Sequence, residues 1–512
     1  MDWLRDNVWL GEQDKDLDRI FSYAPAPTLV LKIVENNGYR MQIWSLETDD
    51  DWAQWLRAEA CEDKFCSGLV LILARRAEEN FGHFPKSRAM TYKEWSDYDD
   101  GNGKPRFGLR CAQTFASLAE KQQDKQGSPK TKSNGRQASI NKLPFSNDTF
   151  KSICLKFRVH ASITKTMTRT TSPSFHAEGV AMDQEAYVIN CRTSKAWPSD
   201  LALSATCYPE QGLTYAILYG CTPVNEKSIV QKLNNISDEA SHPLLIPGIF
   251  AELELVRITR QVGASIVDVE SKIFALDFQS GDTEGLGQED FENRHEAKRR
   301  SWLNMTYLNN SLITQTVQIQ KMAKLAVDLG DTLYASNGYP TQSSALDETQ
   351  TLNGSSDTVV PEQVDVTRSV NEAFFQRMRY VGKRIELRLN TIREEYEDKI
   401  RECTMRVEGM AMATQWSHSE TAVEMALATN RESRVMTSIS LVTMVFLPGT
   451  FFATVFSMTF FDWSGDSGQG RVSSYVWVYV VVTIFFTAVT VGLWYFFVIY
   501  RRGVQMAVDE EK

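Results

Sequence analysis

Residues 435–461 read VMTSISLVTMVFLPGTFFATVFSMTFF, without a single charged side chain. A second uncharged run, VSSYVWVYVVVTIFFTAVTVGLWYFFVIY, fills residues 472–500. A helix needs about 20 apolar residues to cross roughly 30 Å of hydrocarbon, so each run spans a bilayer with tilt to spare. Buried helices of a soluble core rarely stay uncharged over such lengths. Arg431 and Arg434 precede the first run, and Arg501 and Arg502 follow the second. The connector DWSGDSGQGR carries Asp462, Asp466 and only Arg471. The positive-inside rule then places both termini in the cytosol and a short acidic loop outside. The expectation is an integral, multi-pass protein of the lipid bilayer.

The mean hydropathy of the 512-residue chain, −0.31, conceals this segregation. Outside the two runs the text is polar and acidic, and all but one of the ten net negative charges fall within residues 1–434. An acidic body disfavours nucleic acid as a partner and concentrates cations nearby. The N-terminus, MDWLRDNVWLGEQDKD, has no apolar h-region, so no cleaved secretory signal is expected and the plasma membrane is favoured over mitochondria.

Moving outward, residues 29–34 (LVLKIV) and 41–46 (MQIWSL) flank the turn Glu35-Asn36-Asn37-Gly38 and read as a hairpin. LVLILA at 69–74 reads as a buried strand or the middle of a helix. FKSICLKFRV, EAYVIN, LALSATCY and LTYAILYG read as further strands, and HPLLIPGIFAELELVRITRQV, residues 242–262, as a helix. Strands first and helices after imply an α/β sandwich, so the expectation is an α+β membrane protein with a cytosolic α/β domain, a long helical stalk and two C-terminal transmembrane helices.

The expected boundaries follow composition. The α/β domain takes 1–120 and 146–283, interrupted by a polar, flexible excursion at 121–145. A stalk helix at 284–334 is separated by a disordered loop, 335–365, from a long stalk helix at 366–434. Phe374, Met378, Val381, Ile385, Leu389, Ile392, Tyr396, Ile400, Cys403, Val407 and Met410 recur there at helical spacing, a coiled-coil-like stripe that needs a partner. The first span (435–461), external loop (462–471), second span (472–500) and cytosolic tail (501–512) complete the chain.

The first span carries a pattern. Ser433, Met436, Ser440, Thr443, Leu447, Thr450, Thr454 and Ser457 alternate steps of three and four, placing six hydroxyls on one helical face. Such a face lines a hydrated path in which Met436 and Leu447 are apolar constrictions. The competing reading is hydroxyls bonded to their own helix or packing helices together. Pro448-Gly449 interrupts the backbone ladder and permits a bend. Neither span holds a charge, which disfavours proton relays and points to ions that pass largely hydrated, as suits Mg2+. Asp462 and Asp466 attract cations at the mouth or simply solvate the loop. No GxxxxGK[ST], HExxH or GxSxG motif occurs, so no enzyme and no cofactor are expected, and the six histidines form no spaced ligand set. A regulatory metal site is not legible.

FLPGTFFATVFSMTFF, residues 446–461, resembles the end of the first transmembrane helix of CorA-type Mg2+ channels, which reads aromatic-Leu-Pro-x-Thr-Phe, Ala, an aromatic and Gly-Met-Asn. HPLLIPGIFAELE resembles the CorA-like and ZntB-like proteins of filamentous fungi. The resemblance implies a homopentamer, a pore lined by the first span, and a cytosolic α/β/α domain forming a funnel that gates passive divalent-cation flux, Mg2+ foremost. In place of Gly-Met-Asn the chain has Ser457-Met458-Thr459, which removes the amide carbonyl that faces the ion in that family. The alternative reading is a conduction-impaired, membrane-anchored sensor or scaffold that retains the fold.

Overall fold

The computed structural model describes residue 10 and residues 14–58, 67–76, 88–101, 139–169, 172–181, 184–277, 288–334, 363–457 and 476–509. The chain divides into two compact units, Met1–Met410 and Ala411–Lys512.

The first unit is built on a seven-stranded sheet of order β3-β2-β4-β9-β8-β7-β6. Its strands are β2 (Thr28–Val34), β3 (Gln42–Leu46), β4 (Gly68–Arg75), β6 (Ser174–Ala181), β7 (Glu185–Arg192), β8 (Ala202–Tyr208) and β9 (Leu213–Cys221). All neighbours are antiparallel except β4 and β9, which run parallel. A small parallel pair joins β1 (Ser22–Tyr23) to β5 (Lys142–Leu143). The expected hairpin is β2–β3, closed by a 3-10 turn at Glu35–Asn37 and by Gly38 at φ 60°, a left-handed conformation that glycine adopts without strain.

Side chains alternate across a strand, and here both faces are apolar. Leu69, Leu71 and Leu73 of β4 enter one core, and Val70, Ile72 and Ala74 the other. This is why 69–74 is an unbroken apolar run, since a strand buried on both faces has no polar side to show. Helices α2 (Asp49–Ala58), α4 (Asn147–Lys156) and α5 (Ser162–Thr168) supply the second core through Trp52, Phe150 and Ile163, with α1 (Asp14–Ile20) beside them. The first core is closed by α6 (Pro223–Leu233), α7 (Leu245–Asp277), α8 (Gln288–Thr332) and the first part of α9 (Gln363–Phe456). Tyr92 and Trp95 of α3 (Tyr92–Gly101) pack against that same core. The result is a sheet between two helical layers, the α/β/α arrangement implied by the sequence resemblance.

Residues 150–159 depart from expectation: their first part lies in α4, not in a strand. Phe150, Ile153, Cys154 and Phe157 are all buried, and their spacing is that of one helical face. Ser146 caps the helix by accepting the Thr149 N–H at 3.2 Å. Strand β6 falls in a stretch that offered no strand signal; it is an edge strand with several exposed positions.

On α9 the buried residues Met378, Val381, Leu389, Ile392, Tyr396, Cys403 and Met410 occupy the three-and-four stripe seen in the sequence. The flanks of the stripe are tied down by charge. Arg388 Nε donates to Glu252 Oε1 at 2.6 Å, Arg406 Nε to Glu270 Oε1 at 2.9 Å, and Arg377 pairs with Asp238. The excursions at 121–145 and 335–365 fall mostly or wholly outside the described residues.

Candidate functional site

The second unit contains the last part of α9 and helix α10 (Val476–Asp509). Residues Met425–Phe456 and Val476–Phe496 are long and apolar enough to cross a membrane, and among the described residues none of their most apolar stretches is buried. Their surface is therefore not that of core helices. An uncovered apolar area of this size is stable only against lipid or further protein.

All eight stripe positions lie on α9 or the turn that ends it, and all are exposed: Ser433, Met436, Ser440, Thr443, Leu447, Thr450, Thr454 and Ser457. The two apolar members are wide open, Met436 at 67% and Leu447 at 70%. Helix α10 takes a different face. Phe452 packs on Phe486 at 5.0 Å and Phe456 on Tyr479 at 5.8 Å between ring centroids. Gly449 is met by Thr483, whose Cγ2 lies 3.8 Å from where a Cβ would stand. At 100° per residue, the contacts at 449, 452 and 456 sit about 160° around the helix from Leu447, Thr450 and Thr454. One face of the helix is held by its neighbour, and the hydroxyl face is left open.

The three threonine protons on that face are already committed. Thr443 Oγ1 donates to the Ser440 carbonyl at 2.9 Å, Thr450 Oγ1 to Leu447 at 3.0 Å and Thr454 Oγ1 to Phe451 at 2.7 Å. Back-bonding of this kind is the bland alternative weighed from sequence. Chemically it does not silence the face. Each threonine oxygen keeps its lone pairs while its proton is engaged with the backbone, so these positions offer acceptors.

Pro448 lies inside α9, where it has no N–H for the Met444 carbonyl. One residue on, the Tyr479 hydroxyl of α10 donates to the Gly449 carbonyl at 3.3 Å. No local signal in the sequence links Tyr479 to Gly449. Apolar clefts of about 550 and 710 Å3 flank the helix pair, the first lined by Leu447, Pro448, Phe451 and Phe486, the second by Phe446, Gly449, Tyr479 and Thr483.

Ser457 is the last described member of its triplet, and its N–H bonds the Ala453 carbonyl at 3.0 Å. Met458, Thr459, Asp462 and Asp466 lie outside the described residues. Among the described residues no group of three or more His, Cys, Asp or Glu is placed to hold a metal ion.

No protein-family model matches the sequence, and no curated protein matches it. Among solved structures, the full-length CmaX protein aligns over 94% of this chain and 98% of its own, at 9% identity and a TM-score of 0.34. The ZntB cytoplasmic domain from Vibrio parahaemolyticus RIMD 2210633 aligns over 50% of this chain and 84% of its own, at 12% identity and a TM-score of 0.22. Scores this low leave the functional reading to rest on the residues themselves.

Proposed function

We propose that the chain is a divalent-cation channel of the CorA type, a homopentamer that passes Mg2+ passively down its electrochemical gradient. The observation that carries this reading is the open face of α9, whose threonine protons are spent on their own backbone. A hydrated Mg2+ ion presents the hydrogens of its water shell outward, and sheds that shell reluctantly. Acceptor oxygens spaced along a helix suit such a shell; an anion would want donors. One copy cannot enclose a path, so the face acquires meaning when several copies gather their α9 helices around an axis. Five is the number the sequence resemblance implies. The acidic body, on the cytosolic side in this reading, holds cations near the inner mouth.

Under this reading Thr459 at the outer mouth replaces an amide with a hydroxyl. Thr459→Asn then alters ion preference while leaving assembly intact. The reading is tested by planar-bilayer recording under a MgCl2 gradient. A reversal potential that moves toward the Mg2+ equilibrium value is expected. A shift toward the chloride value contradicts it.

A further inference from the structure

We infer that Tyr479 is a positioning residue for the conduction path, acting on the first span from behind. The inference rests on the channel reading for its consequence in flux, but its geometry lies wholly within the second unit.

Pro448 removes one rung from the α9 ladder, and a helix missing a rung bends there unless something holds it. Two side chains of α10, one helical turn apart, hold the same residue. Tyr479 donates its hydroxyl to the Gly449 carbonyl at 3.3 Å, and Thr483 lies against the bare α-carbon of Gly449. The Tyr479 ring is itself braced edge-on by Phe456 at 5.8 Å and 82°. A Cβ at Gly449 would stand 3.8 Å from Thr483 Cγ2, an ordinary contact distance, so the two helices meet closely here without clashing. Of the exposed positions flanking the clamp, Leu447 lies about 160° around the helix from Gly449, and Thr450 about 100° around it, at the edge of the cleft that Gly449 shares with Tyr479 and Thr483. A clamp on the back of a weakened turn therefore sets where the Leu447 constriction and the Thr450 oxygen stand. Helix-to-helix hydrogen bonds in bilayers contribute about 0.6 and at most about 1.7 kcal/mol. That corresponds to about a threefold, and no more than about a 20-fold, change in the balance of held and released states.

The test is a double-mutant cycle between Tyr479→Phe and Pro448→Ala in the full-length chain, with Pro448→Leu as the substitute if the alanine variant fails to assemble. Tyr479→Phe keeps the ring against Phe456 and deletes only the hydroxyl. Amide hydrogen exchange over residues 445–453 is expected to quicken about threefold in the Tyr479→Phe variant. With Pro448 replaced and the rung restored, the same change is expected to have no effect. In reconstituted protein the hydroxyl deletion should change the maximal Mg2+ flux without moving the half-saturating concentration, since the mouth is untouched. Equal acceleration in both backgrounds, or none in either, overturns the inference. The exchange cycle decides the clamp even in a chain that passes no ion, whereas absent flux from the unaltered chain defeats the channel reading alone.

Discussion

Arg75 and Glu226, 151 residues apart in sequence, meet as a two-pronged ion pair: Arg75 Nε donates to Oε1 at 2.7 Å and Nη2 to Oε2 at 3.0 Å. Arg75 ends β4, Glu226 sits in the first turn of α6, and both are buried. The pair pins a helix to the sheet at a place where neither charge reaches water. Removing one partner of such a pair costs about 3–5 kcal/mol, while replacing both with apolar groups is often nearly neutral. Glu226→Leu should therefore lower the denaturation midpoint of the full-length chain sharply. The double variant Arg75→Met/Glu226→Leu should recover most of the loss.

A second prediction concerns pH. His242 is buried at the entry to α7, where Nδ1 accepts the Leu244 N–H at 3.1 Å and Nε2 is left without a hydrogen-bond partner. Gly382 of α9 leaves room for the ring, since a Cβ there would stand 3.0 Å from Nε2. Desolvation lowers the His242 pKa from 6.5 to about 4. The unfolded chain thus binds a proton at this ring near pH 6.5, and the folded chain only near pH 4. Stability falls as pH drops through that window, by about 3 kcal/mol in all. Measured against pH, the unfolding free energy of His242→Phe should lack this component between pH 6.5 and 4.

On the open face of α9, Thr450→Val and Thr454→Val each replace an acceptor oxygen with a methyl group of the same size. A hydrogen bond contributes about 1 kcal/mol, equivalent to about a fivefold change in rate. Each variant should lower Mg2+ flux by about that factor and leave oligomer assembly unchanged on size-exclusion chromatography. Thr487→Val, on α10 and off the open face, should change flux little.

Leu447 should behave in the opposite sense. Under the proposed channel reading it is an apolar constriction that hinders wetting of the path. Leu447→Asn should raise the flux several-fold and weaken discrimination among divalent ions, read in the same reconstituted assay.

The strands that were legible in sequence are those whose surroundings are simple. Residues 69–74 sit between two apolar layers and read as a continuous apolar run, and the β2–β3 hairpin announces itself by its Asn-Gly turn. Residues 150–159 misled because a dense apolar stretch suggests a strand, although Phe150, Ile153, Cys154 and Phe157 already carried the helical period. Strand β6 was silent because an edge strand with exposed polar positions and an internal glycine shows no alternation. The hydroxyl stripe was legible because it is local to one helix. Which face α10 would cover was not, because the contact between Tyr479 and Gly449 joins positions 30 residues apart and depends on how two helices pack.

The central claim is tested most directly by ion uptake into liposomes. Purified oligomers, reconstituted with a low internal cation concentration, are exposed to external Mg2+, and in parallel to Zn2+, Co2+ and Ni2+. The account predicts passive Mg2+ uptake that speeds up under an inside-negative potential and falls in the Thr450→Val variant. Absence of flux for every divalent ion, from oligomers verified as intact in the membrane, would contradict it and leave a membrane-anchored sensor or scaffold in its place.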